Sequence, residues 1–346
     1  MSAASPVRVA ILDDYQNVAL KSADWSPLKG KVAIDVFADT LADEDALVQR
    51  LKDYEIICAM RERTKFPRSL LNRLPNLRLL ATTGMRNLGI DSVHAKEKGI
   101  VVSGTGAGGN ATLEHIWALI LATVRYITVE DAHVKAGNPQ WQSTMPLGLS
   151  GKTLGLVGVG RLGTQTAKIA KAFNMKVTAW SPHLTKERAE IAGVEFVSTK
   201  EQLFKESDII SLQLVLSETT RHIITKEDLS LMKSTAFFIN TSRGPLVDEA
   251  ALLEILEEER IAGAGLDVFD IEPLPVDHPI RKAKRVTLSP HSGYLSDTNY
   301  AVRPFNNDNL RSLNTITFLG ILGRNGGEYC RVSGWQAKEQ VVRGLE

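Results

Sequence analysis

The sequence predicts an α/β protein of two domains, each a parallel sheet covered by helices, and three observations predict it. The chain has 346 residues, more than one ordinary hydrophobic core accommodates and enough for two. Short β-branched runs alternate with helical patterns, as they do where strands are buried on both faces. That alternation occurs twice, on either side of a long helical stretch.

The first series runs from Val7 to about Thr105. Its predicted strands are Val7 to Leu12, Val32 to Phe37, Glu55 to Met60, Leu77 to Thr82 and Ile100 to Val102, each followed by a polar or helical connection. From Asn110 the stretch ATLEHIWALILATVRYITVEDAHVKAG has apolar residues at helical spacing and stops at Gly137, which predicts one helix long enough to bridge two domains. After the irregular loop NPQWQSTMPLGLS, the second series begins at Lys152 and runs to about Pro290.

Composition narrows the class of partner. Apolar residues make up 43% and charged residues 23%, and a net charge of +1 is spread along the chain, which argues against nucleic acid or an anionic membrane surface and for a small-molecule ligand. No apolar run approaches the length of about twenty residues that a spanning helix needs. Met1 to Pro6 lacks the basic start and apolar core of a signal peptide. Cys58 and Cys330 match no disulfide or metal spacing, so a cytoplasmic protein without a metal site is expected.

The strongest local motif is TLGLVGVGRLGTQTAKIAKAF, where Gly158, Gly160 and Gly163 form GxGxxG between an apolar strand and a helix. The first glycine permits a tight turn, the second lets a pyrophosphate approach the backbone, and the third lets helix and sheet pack closely. The helix start, with Arg161 and Leu162, offers N–H groups and a partial positive charge to phosphates. The next strand, KVTAW, ends in Ser181, Pro182 and His183, without the carboxylate that would bind a free adenosine ribose. Ser181 and His183, followed by Lys186 and Arg188, suit a 2′-phosphate, so NADP(H) is favoured over NAD(H).

Three further segments stand at predicted strand ends, where open α/β sheets bind ligands: FFINTSRG, LDVFDIEP and VTLSPHSG. They supply Arg243, Glu272 and His291. A guanidinium is a directional cation for a carboxylate and carbonyl. An imidazolium donates the proton that a carbonyl oxygen needs as it gains negative charge, and a glutamate within reach orients that ring and steadies its charge.

On the motifs VGVGRLG, INTSRGPLVDEAAL, GAGLDVFDIEP and LSPHSG, in that order, the chain resembles the D-isomer-specific 2-hydroxyacid dehydrogenases over residues 7 to about 300. The resemblance implies two Rossmann-like or flavodoxin-like domains with the active site in the cleft between them. Residues 1–109 with about 296–346 would form the substrate domain, and residues 110–295 the dinucleotide domain with the interdomain helix. It further implies that Arg243, Glu272 and His291 are catalytic, that Thr112 and Asp267 lie near the nicotinamide, and that backbone N–H groups near Gly84 and Met85 bind the substrate carboxylate with help from Arg61 and Arg86. Met60, Met85, Trp141 and Met145 are candidates for an apolar pocket wall. The family expectation is a homodimer formed through the helix from Asn110 and the loop around Trp141.

After Tyr300 the resemblance weakens, since TITFLGILGRNGG is broken by glycines where the family continues with an amphipathic helix. A different class of function, an NAD(H)-sensing binding protein like the corepressors of the same fold, uses the same motifs. Interaction tails would favour it, and the sequence contains none. The substrate expected is a small 2-oxo acid or its 2-hydroxy acid, such as glyoxylate or hydroxypyruvate.

Overall fold

The computed structural model describes residues 5–22, 24–84, 87–104 and 109–297. Within them the two strand series form two sheets in which every pair is parallel. The first contains β1 (Val7–Ile11), β2 (Val32–Val36), β3 (Ile56–Ala59), β4 (Leu79–Thr82) and β5 (Val101–Gly104) in the order β2-β1-β3-β4-β5. All five strands lie within two residues of their predicted ends. Two short 3-10 turns join β1 to β2, and α1 (Glu44–Leu51), α2 (Arg68–Asn72) and α3 (Ser92–Glu97) follow β2, β3 and β4. Asp43 and Asp91 start α1 and α3, their carboxylates accepting hydrogen bonds from Ala46 N and His94 N. Every residue of β3 and β4 is buried, so successive side chains enter opposite cores. Ala10, Ile57 and Leu80 pack with Leu51, Phe66 and Leu70, whereas Val9, Ile11, Ile56 and Leu79 pack with Leu28.

The second unit opens with α4 (Ala111–Val124) and α5 (Ile127–Lys135). There follow β6 (Thr153–Val157), α6 (Arg161–Ala172), β7 (Lys176–Trp180), α7 (Lys186–Ala192), β8 (Glu195–Phe196), α8 (Lys200–Glu206) and β9 (Ile209–Leu212). The unit closes with α9 (Lys226–Ser230), β10 (Phe237–Asn240), α10 (Glu249–Glu257), β11 (Gly263–Leu266) and β12 (Val286–Leu288). The sheet order is β12-β11-β10-β9-β6-β7-β8. Leu113, Ile116, Leu119 and Ile120 of α4 share a core with Leu154, Ile209, Phe237 and Ile239, so this helix packs on the second sheet.

The long helix predicted from Asn110 to Gly137 is two helices. Tyr126 adopts a left-handed backbone, φ 54°, and begins α5 in a new direction. In a continuous helix the Val124 carbonyl would accept from Thr128; here it accepts from Leu147 N at 3.0 Å, while the Tyr126 ring packs edge-on against Phe237 with centroids 5.8 Å apart. Both partners are remote in sequence, so apolar periodicity carries no sign of the break.

Each strand order reverses beside its first strand, between β1 and β3 in one sheet and between β6 and β9 in the other. Parallel sheets open a crevice at such points, beyond the carboxyl ends of the strands. No helix of the described residues is long and apolar enough to cross a membrane.

Candidate active site

At the reversal beside β6, the glycine motif fits a dinucleotide for steric reasons. Gly158 has φ 105°, and a Cβ there would lie 2.8 Å from the Gln213 carbonyl oxygen beyond β9. A Cβ on Gly163 would lie 2.6 Å from the Gly158 oxygen, so the start of α6 touches the turn directly. Gly160 differs, because a Cβ there meets nothing within 4 Å. The loop thus leaves open space at its tip. Gly160 caps α6 with no side-chain hydrogen bond, and the first-turn N–H groups around Arg161 and Leu162 face that space without a side-chain cap. This is a cradle suited to a pyrophosphate.

Ser181 and His183 follow β7, with no carboxylate at that strand end. Arg188, in the first turn of α7, donates through Nη1 to the His183 carbonyl at 3.1 Å, which draws its guanidinium back over the strand end. Thr112 lies in the first turn of α4.

His291 and Glu272 come from the loops after β12 and β11. His291 Nδ1 donates to Glu272 Oε2 at 2.6 Å, and Glu272 Oε1 accepts from Phe269 N at 2.9 Å, which holds the carboxylate in place. His291 has φ 52°, a conformation costing about 1 kcal/mol or more for a residue with a side chain. Its support is Asp267. That carboxylate, 1% exposed, accepts from Ser292 N at 2.8 Å, Gly293 N at 3.0 Å and His115 Nε2 at 3.0 Å. Burial alone would raise the Asp267 pKa, but hydrogen bonds from His115, Ser289 and Ser292 outweigh it and hold the carboxyl below its ordinary range. Both Asp267 oxygens are therefore engaged in fixing the His291 loop and tying it to α4. Sequence reasoning gave His115 no role, although it lies near the start of the helical stretch ATLEHIWALILATVRYITVEDAHVKAG.

Arg243 follows β10. Its Nη1 donates to the Ser242 carbonyl at 2.7 Å, and its Nη2 crosses to the first unit, reaching Glu62 Oε1 and Oε2 at 3.3 and 3.4 Å. Arg61 begins the loop after β3 with φ 53°, and its N–H donates to Thr83 Oγ1 at 2.9 Å. Its side chain is largely buried, with Nε 3.7 Å from Glu62 Oε2, and burial lowers its pKa despite the adjacent carboxylate. Asn87 donates to the Arg61 carbonyl and to Thr82 Oγ1, joining the loops after β3 and β4. Gly84 lies in that second loop with φ 90°. Met85 and Arg86 lie outside the described residues, as does the segment beyond 297 assigned to the substrate domain.

Between the units lies a cavity of about 390 Å³. Tyr15, Thr40 and Arg63 line it from the first, and Phe269, Glu272, Leu274 and His291 from the second. Of the apolar wall candidates, Met60 is buried, while Trp141 and Met145 are exposed at 73% and 89%. None of the three lines this cavity. Glu62, Tyr15 and Thr40 are site residues that sequence reasoning missed. The available signal for Glu62 was a carboxylate between two arginines in AMRERT, but its pairing with Arg243 spans 181 positions.

A family model described as the NAD binding domain of D-isomer specific 2-hydroxyacid dehydrogenases matches residues 117–293. A D-3-phosphoglycerate dehydrogenase of Methanocaldococcus jannaschii is 38% identical over 288 residues, 83% of this chain and 53% of its own length. A glyoxylate reductase of Thermococcus litoralis is 38% identical over 293 residues, 82% of this chain and 83% of that one. The phosphoglycerate oxidoreductase from Vibrio Cholerae o395 superposes with a TM-score of 0.83 at 33% identity, covering 89% of this chain and 99% of that one. This chain spans about half the length of the phosphoglycerate dehydrogenase and most of the glyoxylate reductase. It belongs to the D-isomer specific 2-hydroxyacid dehydrogenase family, whose relatives named here are oxidoreductases.

Proposed function

We propose that the protein reduces small 2-oxo acids to D-2-hydroxy acids, and runs the reverse reaction, with a nicotinamide coenzyme. The observation that carries this reading is the His291–Glu272 hydrogen bond, 2.6 Å long, at an interdomain cavity, with Arg243 of the same unit reaching across to Glu62 of the other. Residues 110–295 form the coenzyme domain and residues 1–109, with about 296–346, the substrate domain. Gly158, Gly160, Arg161, Leu162 and Gly163 hold the pyrophosphate, with Thr112 nearby. The coenzyme, when bound, supplies or accepts hydride.

The residues of the chain do the rest. Arg243 orients the substrate carboxylate and carbonyl, and Gly84 with Met85 presents backbone N–H groups to the same carboxylate. His291 gives its Nε2 proton to the carbonyl oxygen as that oxygen becomes a hydroxyl, and takes it back in the oxidative direction. Glu272 keeps the ring oriented and balances its positive charge. Asp267 acts on the His291 loop and is a positioning residue in this scheme, alongside its assigned place near the nicotinamide. Ser181, His183 and Arg188 at the β7 end favour NADPH over NADH, since no carboxylate there repels a 2′-phosphate. A cytoplasmic homodimer completes the proposal, its contact made by α4, α5 and the exposed loop around Trp141.

The test is the initial rate of NADPH and of NADH oxidation with glyoxylate, hydroxypyruvate, phenylpyruvate and 2-oxoisocaproate. Turnover of one or more, fastest with NADPH, is expected. Tight coenzyme binding without any turnover would overturn the enzyme reading in favour of a sensor.

A further inference from the structure

We infer that Glu62 sets the charge of the substrate: it restricts the site to 2-oxo acids whose only anionic group is the carboxylate, and discriminates against those carrying a second, such as a phosphate. The inference rests on the reading that Arg243 holds the substrate carboxylate.

Glu62 lies between two guanidinium groups from different parts of the fold, 3.3 Å from Arg243 Nη2 and 3.7 Å from Arg61 Nε. All three side chains are mostly withdrawn from solvent, at 22%, 29% and 20% exposure, so their charges are screened less than on the surface. Arg61 Nε is buried and has no hydrogen-bond partner among the described residues. The other arginine of AMRERT, Arg63, lines the cavity, where it stacks over the Tyr15 ring at 4.4 Å and donates to the carbonyl of Asp13, whose carboxylate its charge also reaches. Glu272 balances His291. Within the Arg61–Glu62–Arg243 cluster two guanidinium charges and one carboxylate leave a single positive charge, which one substrate carboxylate neutralises, while Arg63 faces the Asp13 carboxylate.

A substrate carboxylate on Arg243 shares that guanidinium with Glu62, and the rest of a three-carbon acid lies within a few ångströms of both. At an effective dielectric constant of about 20, a second substrate charge about 5 Å from Glu62 meets repulsion worth roughly a hundredfold in binding, and about tenfold with partial solvent access. Without Glu62, the two guanidinium groups would instead attract that charge.

Hydroxypyruvate and 3-phosphohydroxypyruvate differ only in the phosphate, so the ratio of their kcat/KM values isolates this effect from general damage to the site. The experiment measures that ratio for the full chain, for Glu62→Gln and for Glu62→Asp, with one coenzyme throughout. The unmodified protein should favour hydroxypyruvate, Glu62→Gln should reduce the ratio by about tenfold or more, and Glu62→Asp should largely retain it. A purely structural link between the units would lower both values together in Glu62→Gln. An unmoved ratio in that variant, or a preference of the unmodified protein for the phosphorylated acid, overturns the inference while leaving oxo-acid reduction intact. Absence of turnover with every oxo acid would overturn the underlying reading, and the inference with it.

Discussion

His291 stands in a left-handed backbone conformation, held by a glutamate on its ring and an aspartate beneath its loop. Two kinds of damage therefore separate at this site. Removing the imidazole in His291→Ala should lower kcat by about 10²- to 10⁴-fold while coenzyme affinity, read by fluorescence titration, stays near that of the unmodified protein. Removing the support in Asp267→Asn acts first on stability. The variant leaves buried N–H groups facing a neutral amide, at a cost of about 1–3 kcal/mol in thermal or denaturant unfolding. The sign of its pH dependence follows from the depressed folded pKa. The stabilisation is complete above the ordinary aspartate value of 3.8 and is lost as pH falls through the lower folded value, so the two proteins should converge in stability in acid. A constant difference from neutral pH into acid would remove the charged form of Asp267 from the explanation.

The glycine turn between β6 and α6 offers a comparison within one element. Gly158 is required by the fold, because its φ of 105° and the Gln213 carbonyl exclude a side chain. Gly160, with open space where its Cβ would stand and φ −100°, is not. Gly158→Ala should lower the melting temperature, by an amount equivalent to about 1–3 kcal/mol, and weaken coenzyme binding. Gly160→Ala should melt close to the unmodified protein yet bind coenzyme more weakly, since the added methyl enters the cradle. Equal coenzyme affinity in Gly160→Ala would mean that the pyrophosphate lies elsewhere. The helical stretch from Asn110 shows the limit of local reading at this scale. Its periodicity was sufficient to predict helix, but the turn at Tyr126 depends on Leu147 and Phe237, whose proximity only the packed structure creates.

At the scale of the whole molecule, the surface of α5 and the loop that follows exposes several large apolar side chains. Ile127, Val134, Trp141 and Met145 are exposed there, while Glu130 fixes the loop by accepting from Ser143 N and Thr144 N. A homodimer would cover these side chains. Light scattering should give twice the chain mass for the unmodified protein and a shift towards the single chain for Trp141→Glu, because a buried unpaired carboxylate is strongly unfavourable in an apolar contact. A monomer in both cases would rule the interface out.

Order along the chain was enough to determine the two α/β units, nearly all strand positions in the first, the glycine turn and the motifs bearing Arg243, Glu272 and His291. These features are local: burial on both faces dictates apolar runs, and a turn approached by a phosphate or a carbonyl excludes side chains. The tertiary structure alone decided which groups meet. Asp267 underlies the His291 loop, His115 joins it from α4, and Glu62 crosses between units to Arg243. Ion pairs and hydrogen bonds depend on positions within a few ångströms, and a sequence separation of 181 residues carries no information about that distance until both sheets have formed and docked.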